Sequence, residues 1–92
     1  MLFLARMDVT FPESMSDEVK AEFTTLEKEY SGNLQREGKM QDIWRVVGEY
    51  ANYSVYDVSD NDELHRILSG FPMYPYMKIK VTPLAKHPNA IK

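Results

Sequence analysis

From Phe3 to Phe11 every second residue is apolar. Phe3, Ala5, Met7, Val9 and Phe11 share one parity, and Arg6, Asp8 and Thr10 occupy the other. A period of two predicts a strand over residues 1–11, ended by Pro12. Beyond Ser16 the period changes. Val19, Phe23, Leu26, Tyr30 and Leu34 follow at spacings of four, three, four and four, which is the stripe of a helix packed on one side. Ser16 is the predicted N-cap, Asp17 and Glu18 lie where the helix dipole favours negative charge, and Gly38 suits the position just past a helix ending near Glu37.

Residues 40–47 and 51–58 are rich in Ile, Val, Trp and Tyr and are separated by Gly48-Glu49-Tyr50, predicting a β-hairpin. A capping box from Ser59 and Asp62, or from Asp60 and Glu63, opens a second helix. Its buried stripe is Leu64, Ile67, Leu68 and Phe71, with Gly70 near its end. Pro72 and Pro75 make the exit stiff. Met77, Ile79 and Val81 alternate with Lys78, Lys80 and Thr82 in a last strand, and the tail after Pro83 has no period. The order β-α-β-β-α-β predicts a ferredoxin-like α+β sandwich spanning residues 1–92 as a single domain, of the dimeric α+β barrel type. Right-handed crossovers put both helices on one face of an antiparallel sheet. The other face needs cover as well, because Leu2 and Leu4 accompany Met1, Phe3 and Ala5, and Ile43 and Val47 stand opposite Trp44 and Val46. A second subunit is the expected cover, so the chain is expected to be an obligate oligomer.

Composition narrows the chemistry. With 92 residues and no cysteine, the chain has neither disulfides nor thiolate metal sites to stabilise a small core. Acids and bases are interspersed around a net charge of −3, with no clustered basic face for nucleic acid. The apolar N-terminal run is too short for a signal or membrane-spanning segment, and a cytoplasmic protein is expected. His65 and His87 are isolated, no metal-ligand spacing occurs, and no glycine-rich phosphate loop is present. What remains is acid–base chemistry by a carboxylate, with polar residues to hold an anion.

Helix geometry singles out Glu27. At about 100° per residue it lies roughly 60° from the stripe's centre near Tyr30, whereas Glu29 lies roughly 100° away on the other flank. A glutamate at the core's edge, close to Phe23, would be desolvated and become a better proton acceptor near neutral pH. The alternative is a solvated flank residue paired with Lys20, Lys28 or Ser31. Arg45, set between Trp44 and Val46, requires a carboxylate from either the protein or a substrate. Tyr50, Asn52 and Ser54 recur at spacing two, as a pocket wall or as a polar outer surface. His87 is a solvated tail residue or a catalytic one. The run from Phe71 to Met77 is either a lid over a flat ligand or a rigid, packed connection.

Taken in order, these residues resemble the muconolactone isomerases of the catechol branch of the β-ketoadipate pathway. The resemblance spans almost the whole chain: MLFLARM at the start, LEKEYSGNLQREGK in the first helix, IWRVVGEYANYSVYDV through the hairpin, NDELHRIL in the second helix, and FPMYPYMKIKVTPLAKHP at the end. Met40 and Tyr74 depart from it, standing where an aromatic residue and a phenylalanine are expected. The resemblance implies a ferredoxin-like fold, a homodecamer built from dimers, no cofactor, and a small lactone substrate. It also implies that Glu27 is the acid/base glutamate. Arg45, Tyr50, Asn52 and Ser54 match the hairpin segment associated with the pocket, Lys20 lies one helical face along from Glu27, and His87 reaches a neighbouring subunit's pocket. The implied reaction moves the ring double bond of muconolactone to give the enol-lactone by proton transfer. A chloromuconolactone dehalogenase of the same fold would begin with the same deprotonation. A non-catalytic ligand-binding domain and a cofactor-free monooxygenase are the readings outside that chemistry.

Overall fold

The computed structural model describes residues 1–92. Its elements are β1 (Leu2–Val9), α1 (Asp17–Arg36), β2 (Met40–Arg45), β3 (Ala51–Asp57), α2 (Asn61–Ser69), a short 3₁₀ turn (Tyr74–Tyr76) and β4 (Met77–Leu84). The four strands form one antiparallel sheet in the order β2-β3-β1-β4. This is the ferredoxin-like α+β arrangement expected from the period changes. Central β1 aligns Ala5 with Ser54 on one side and with Val81 on the other. Phe3, Ala5 and Met7 from β1, Met40 from β2, Tyr56 from β3, and Leu34, Leu64, Ile67 and Leu68 from the helices close into one core.

The caps follow from local chemistry. The Ser16 hydroxyl accepts the Val19 amide at 3.2 Å, and Gly38 takes a φ of +76° that disfavours any residue with a Cβ. Of the two possible boxes for α2, the Asp60–Glu63 pair is the one formed. Asp60 accepts the Glu63 amide at 2.8 Å, and Glu63 reaches back to the Ser59 amide at 2.8 Å and to Lys39 Nζ at 3.0 Å. The Ser59 amide and Lys39 hold the Glu63 carboxyl below its ordinary range, as Arg6 does for Asp8. For a depressed carboxyl, the stabilisation is present above the ordinary carboxylate pKa and is lost as pH falls through the lowered value. Acid unfolding is therefore expected to begin earlier in Glu63→Gln than in the parent, with the two curves closest at the lowest pH, as denaturant melts at successive pH values would read.

Two strand ends and the buried face of α1 differ from the periodicity. β2 stops at Arg45, and the Val46 amide on the Ala51 carbonyl at 3.0 Å closes a turn in which Gly48 takes a φ of +81° and Val47 is 96% exposed. β4 continues through Pro83 to Leu84, pairing Pro83 with Phe3; an edge strand tolerates a residue without an amide hydrogen. On α1, Val19 and Leu26 are 38% and 51% exposed although both belong to the predicted stripe. The buried side of α1 is rotated toward Glu27. Tyr30, Leu34 and Glu27 span roughly 60° of the helix circumference, and Leu26 falls about 40° beyond Tyr30 on the outer flank.

The sheet's second face is open in the isolated chain. Its centre is polar: Arg6 bonds Asp8 at 3.0 and 3.1 Å and Glu49 at 3.1 Å, and lies 5.3 Å from the centre of the Tyr53 ring. Around that centre Leu2, Leu84 and Trp44 remain exposed.

Candidate active site

Under α1, at the β2–β3 end of the sheet, lies a cavity of about 370 Å³ with a mostly apolar wall. α1 contributes Thr24, Glu27, Lys28 and Ser31, which share one flank because residues three and four apart are neighbours on a helix. Met7 and Met40 supply floor, Phe71 and Met73 supply wall, and Arg45, Tyr50 and Asn52 come from the hairpin. A cavity of this size with a few convergent polar groups is the form of a small-molecule site.

Glu27 is half-buried and forms no ion pair. Its Oε1 accepts the Met73 backbone amide at 3.1 Å. Burial raises its pKa above the usual carboxylate value, and the Met73 amide opposes that rise by favouring the ionised form. The solvated-flank alternative, with Lys20, Lys28 or Ser31 as partner, is therefore not what the fold builds.

Arg45 has no carboxylate within ion-pair distance. Its guanidinium instead lies 5.2 Å from the centre of the Tyr50 ring, a cation–π contact that orients the charge and leaves its planar donors available. Lys28 is a second cation on the cavity wall, also without an ion-pair partner. The Asn52 Oδ1 is buried and accepts no hydrogen bond, an arrangement that costs about 1–3 kcal/mol. Half a turn of the amide presents its NH₂ at the same place, so this side chain can meet either a donor or an acceptor.

Three of the residues singled out from sequence lie elsewhere. Ser54 is fully buried beneath the helices, its Oγ 2.9 Å from the Tyr56 hydroxyl. It does share a face with Asn52, but it is sealed off by the core where Asn52 lines the cavity. Lys20 lies on Glu27's side of α1 but about two turns nearer its start, and is not in the wall. His87 is exposed in the segment after β4, where its Nδ1 accepts the Asn89 amide at 3.0 Å. Thr24, Lys28 and Ser31 had a usable signal, their helical spacing from Glu27. Met73 had none, since 46 residues separate it from the glutamate it meets. The segment from Phe71 to Met77 is a packed connection, with Tyr74 and Tyr76 amides bonded to Phe71 and Met73 carbonyls at 2.9 and 2.8 Å. No group of three or more His, Cys, Asp or Glu is placed to hold a metal ion, and no helix is long and apolar enough to cross a membrane.

Fold and cavity together define a ferredoxin-like α+β protein with a cavity of small-molecule size that a carboxylate lines. The profile of the muconolactone delta-isomerase family matches residues 1–90. A muconolactone delta-isomerase of Cupriavidus pinatubonensis is 57% identical, with both chains covered in full. Muconolactone delta-isomerase 1 of Acinetobacter lwoffii is 56% identical over all of this chain and 96% of its own. Among solved structures, a muconolactone isomerase superposes with a TM-score of 0.95 at 42% identity, covering 100% of this chain and 96% of that one. A 5-chloro-2-hydroxyhydroquinone dehydrochlorinase from Burkholderia phenoliruptrix superposes with a TM-score of 0.73 at 17% identity over 95% and 96% of the two chains, a likeness of fold alone. The chain belongs to the muconolactone delta-isomerase family.

Proposed function

We propose that the protein isomerises muconolactone to the corresponding enol-lactone, with Glu27 as the single proton carrier. The observation that carries this reading is a half-buried glutamate without an ion pair, facing a cavity that also holds two cations without carboxylate partners. The substrate is a butenolide with a carboxymethyl arm. Removal of its ring hydrogen beside the lactone oxygen leaves a dienolate with 2-oxyfuran character. Glu27 takes that proton and returns it to the carbon beside the carbonyl, so the double bond moves and no atom is gained or lost. One carboxylate serves both carbons because they belong to one small ring. Raised toward neutrality by burial, it is better matched to the proton than a solvated carboxylate.

The negative charge developing on the lactone carbonyl needs donors. Asn52 and Tyr50 take that role, and the buried Asn52 amide without a partner supports it. Arg45 anchors the carboxymethyl arm and Lys28 adds positive potential to the same cavity. Ser54 acts only through the core, by supporting the strand beneath Asn52. Replacing Arg45 with Met is expected to raise KM for muconolactone about tenfold with a smaller change in kcat, since an exposed, solvent-screened contact to a charged group is worth about 1–2 kcal/mol. Steady-state kinetics would read this, and a fall in kcat alone would move the arm to Lys28.

A homo-oligomer, a decamer built from dimers, belongs to the same proposal. Only 14 of 92 residues are buried in the isolated chain, few for a stable core, and Trp44 and Leu26 stand 52% and 51% exposed on the sheet and helix sides. Lys20 and His87, remote from their own cavity, would then act at subunit contacts. The same proposal places the enzyme in the cytoplasm, in keeping with a fold that uses no disulfide. The deciding experiment is incubation of the purified protein with muconolactone in the presence of a chelator, following lactone to enol-lactone conversion spectroscopically. Conversion is expected; chloride release from a chlorinated lactone without conversion would assign the protein to the dehalogenase reaction instead.

A further inference from the structure

The connector from Gly70 to Tyr76 does more than join α2 to β4. It approaches Glu27 from outside α1 and supplies the one hydrogen bond the protein gives that carboxylate, from the Met73 amide at 3.1 Å. The connector is fixed on both sides of this contact. On one side the Phe71 ring lies 4.7 Å from Tyr30, whose hydroxyl donates to the Ile67 carbonyl at 2.7 Å. On the other, the Tyr76 carbonyl accepts the Thr10 amide at 2.9 Å, and the Tyr76 ring meets Phe11 and Phe23 edge-on at 5.4 and 5.5 Å. Pro72 and Pro75 restrict the backbone between these anchors. Phe23 is one helical turn before Glu27, so Tyr76 grips α1 beside the glutamate itself.

We propose that this connector is the positioning device for the Glu27 base, acting through the Met73 amide, with Tyr76 as the residue that locks it. The inference rests on the reading of Glu27 as the proton carrier. An amide hydrogen bond to Oε1 hinders rotation of the carboxylate and leaves Oε2 as the oxygen that faces the substrate. A base held in one orientation reaches both ring carbons without searching for each, which is the benefit of a near-attack geometry. The amide also favours the ionised form, against the burial that opposes it. The other titratable groups around Glu27 are Lys28, Arg45 and Tyr50 on the cavity wall, and Tyr30 and Tyr56, whose hydroxyls sense its charge from the core side.

The test replaces the Met73 amide with an ester, using the α-hydroxy analogue of methionine, so that only the N–H is lost. The Glu27 carboxyl is titrated by ¹³C NMR in the ligand-free protein, and kcat/KM for muconolactone is measured against pH. The Glu27 titration and the acidic limb of the profile are both expected to move up by about one pH unit in the ester protein. Tyr76→Leu is expected to move them in the same direction by less, and Tyr76→Phe to leave them in place because the ring contacts with Phe11 and Phe23 are kept. An unchanged carboxyl titration in the ester protein overturns the tether; an activity loss in Tyr76→Leu with an unmoved profile overturns the lock. Should the ester chain not fold, the Met73 amide proton in the parent decides. Its chemical shift must titrate with Glu27 and cease to do so in Glu27→Gln, and a flat trace refutes the contact. Failure of the parent to convert muconolactone would instead remove the base assignment, while the NMR titration still reports on the tether.

Discussion

Glu27→Gln is expected to lower kcat for muconolactone by about 10²–10⁴-fold while leaving the fold intact and raising its stability at neutral pH. Glutamine has the shape of glutamate, and its side-chain oxygen can still accept the Met73 amide, so the cavity wall should keep its form. What disappears is the ability to take a proton. The gain in stability follows from the direction of the pKa change. Burial raises the Glu27 pKa in the folded protein, so the folded state holds the proton more tightly than the unfolded chain. The favourable contribution of a raised carboxyl is fully present below the unfolded pKa and is lost as pH rises through the folded value. At neutral pH the ionised side chain is therefore a burden on folding that glutamine lacks. Denaturant melts of parent and variant should differ least near pH 4 and most at neutral pH, with the variant the more stable. A variant with near-parental kcat would rule out the single-carboxylate scheme. A variant less stable at pH 7 would show that Glu27 is held as a structural anion.

Gly70→Ala is expected to destabilise the protein by about 2–3 kcal/mol. The glycine has an ordinary helical φ of −85°, so backbone freedom is not the reason for it. Space is. A Cβ at this position would collide with the Tyr30 hydroxyl and press on the Arg66 carbonyl at 3.1 Å. The tyrosine would have to move, giving up its 2.7 Å bond to the Ile67 carbonyl and its edge contact with Phe71. Because Phe71 is part of the cavity wall, activity should fall as well. Removing the hydroxyl relieves the collision, so Gly70→Ala combined with Tyr30→Phe should be more stable than the sum of the two single changes predicts. A double-mutant cycle in denaturant reads that coupling. Strictly additive effects would mean that the close approach of Gly70 and Tyr30 does not control the α1–α2 contact.

The two variants bear on one arrangement. Tyr30 and Glu27 are three residues apart on α1, and Phe71 and Met73 are two apart on the connector that faces them. The Gly70 contact sets how closely α2 approaches α1, and the residues that follow deliver the amide to the glutamate. Stability and site geometry are thus coupled through a few side chains at the helix–helix junction. The cavity itself holds the features that lower stability: a buried amide oxygen without a partner and a desolvated carboxylate. A folding chain has no reason to keep either, which is the pattern expected of a functional site.

Local physics was enough for much of this. Strand and helix periods, the Ser16 and Asp60 caps, the glycine after α1 and the hairpin turn depend on residues within a few positions of one another, and each can be read along the chain. Glu27 could be singled out because a helix has a fixed angular repeat, and the long motif match supplied the reaction class. The tertiary structure decided the rest. The rotation of α1 that exposes Leu26 and turns Glu27 inward depends on what the helix packs against, and a stripe of apolar residues does not fix its own rotation to within tens of degrees. Ser54 and Asn52 share a strand face, yet one is under the core and the other at the cavity, because helices cover only part of that face. Distance along the helix keeps Lys20 off its own chain's cavity wall, and a contact across 46 residues brings Met73 to Glu27. Sequence thus determined the elements and the kind of chemistry available. Only packing decided which side chains meet, because contacts between distant segments arise from the closing of the whole core and leave no trace in the spacing of residues along any one of them.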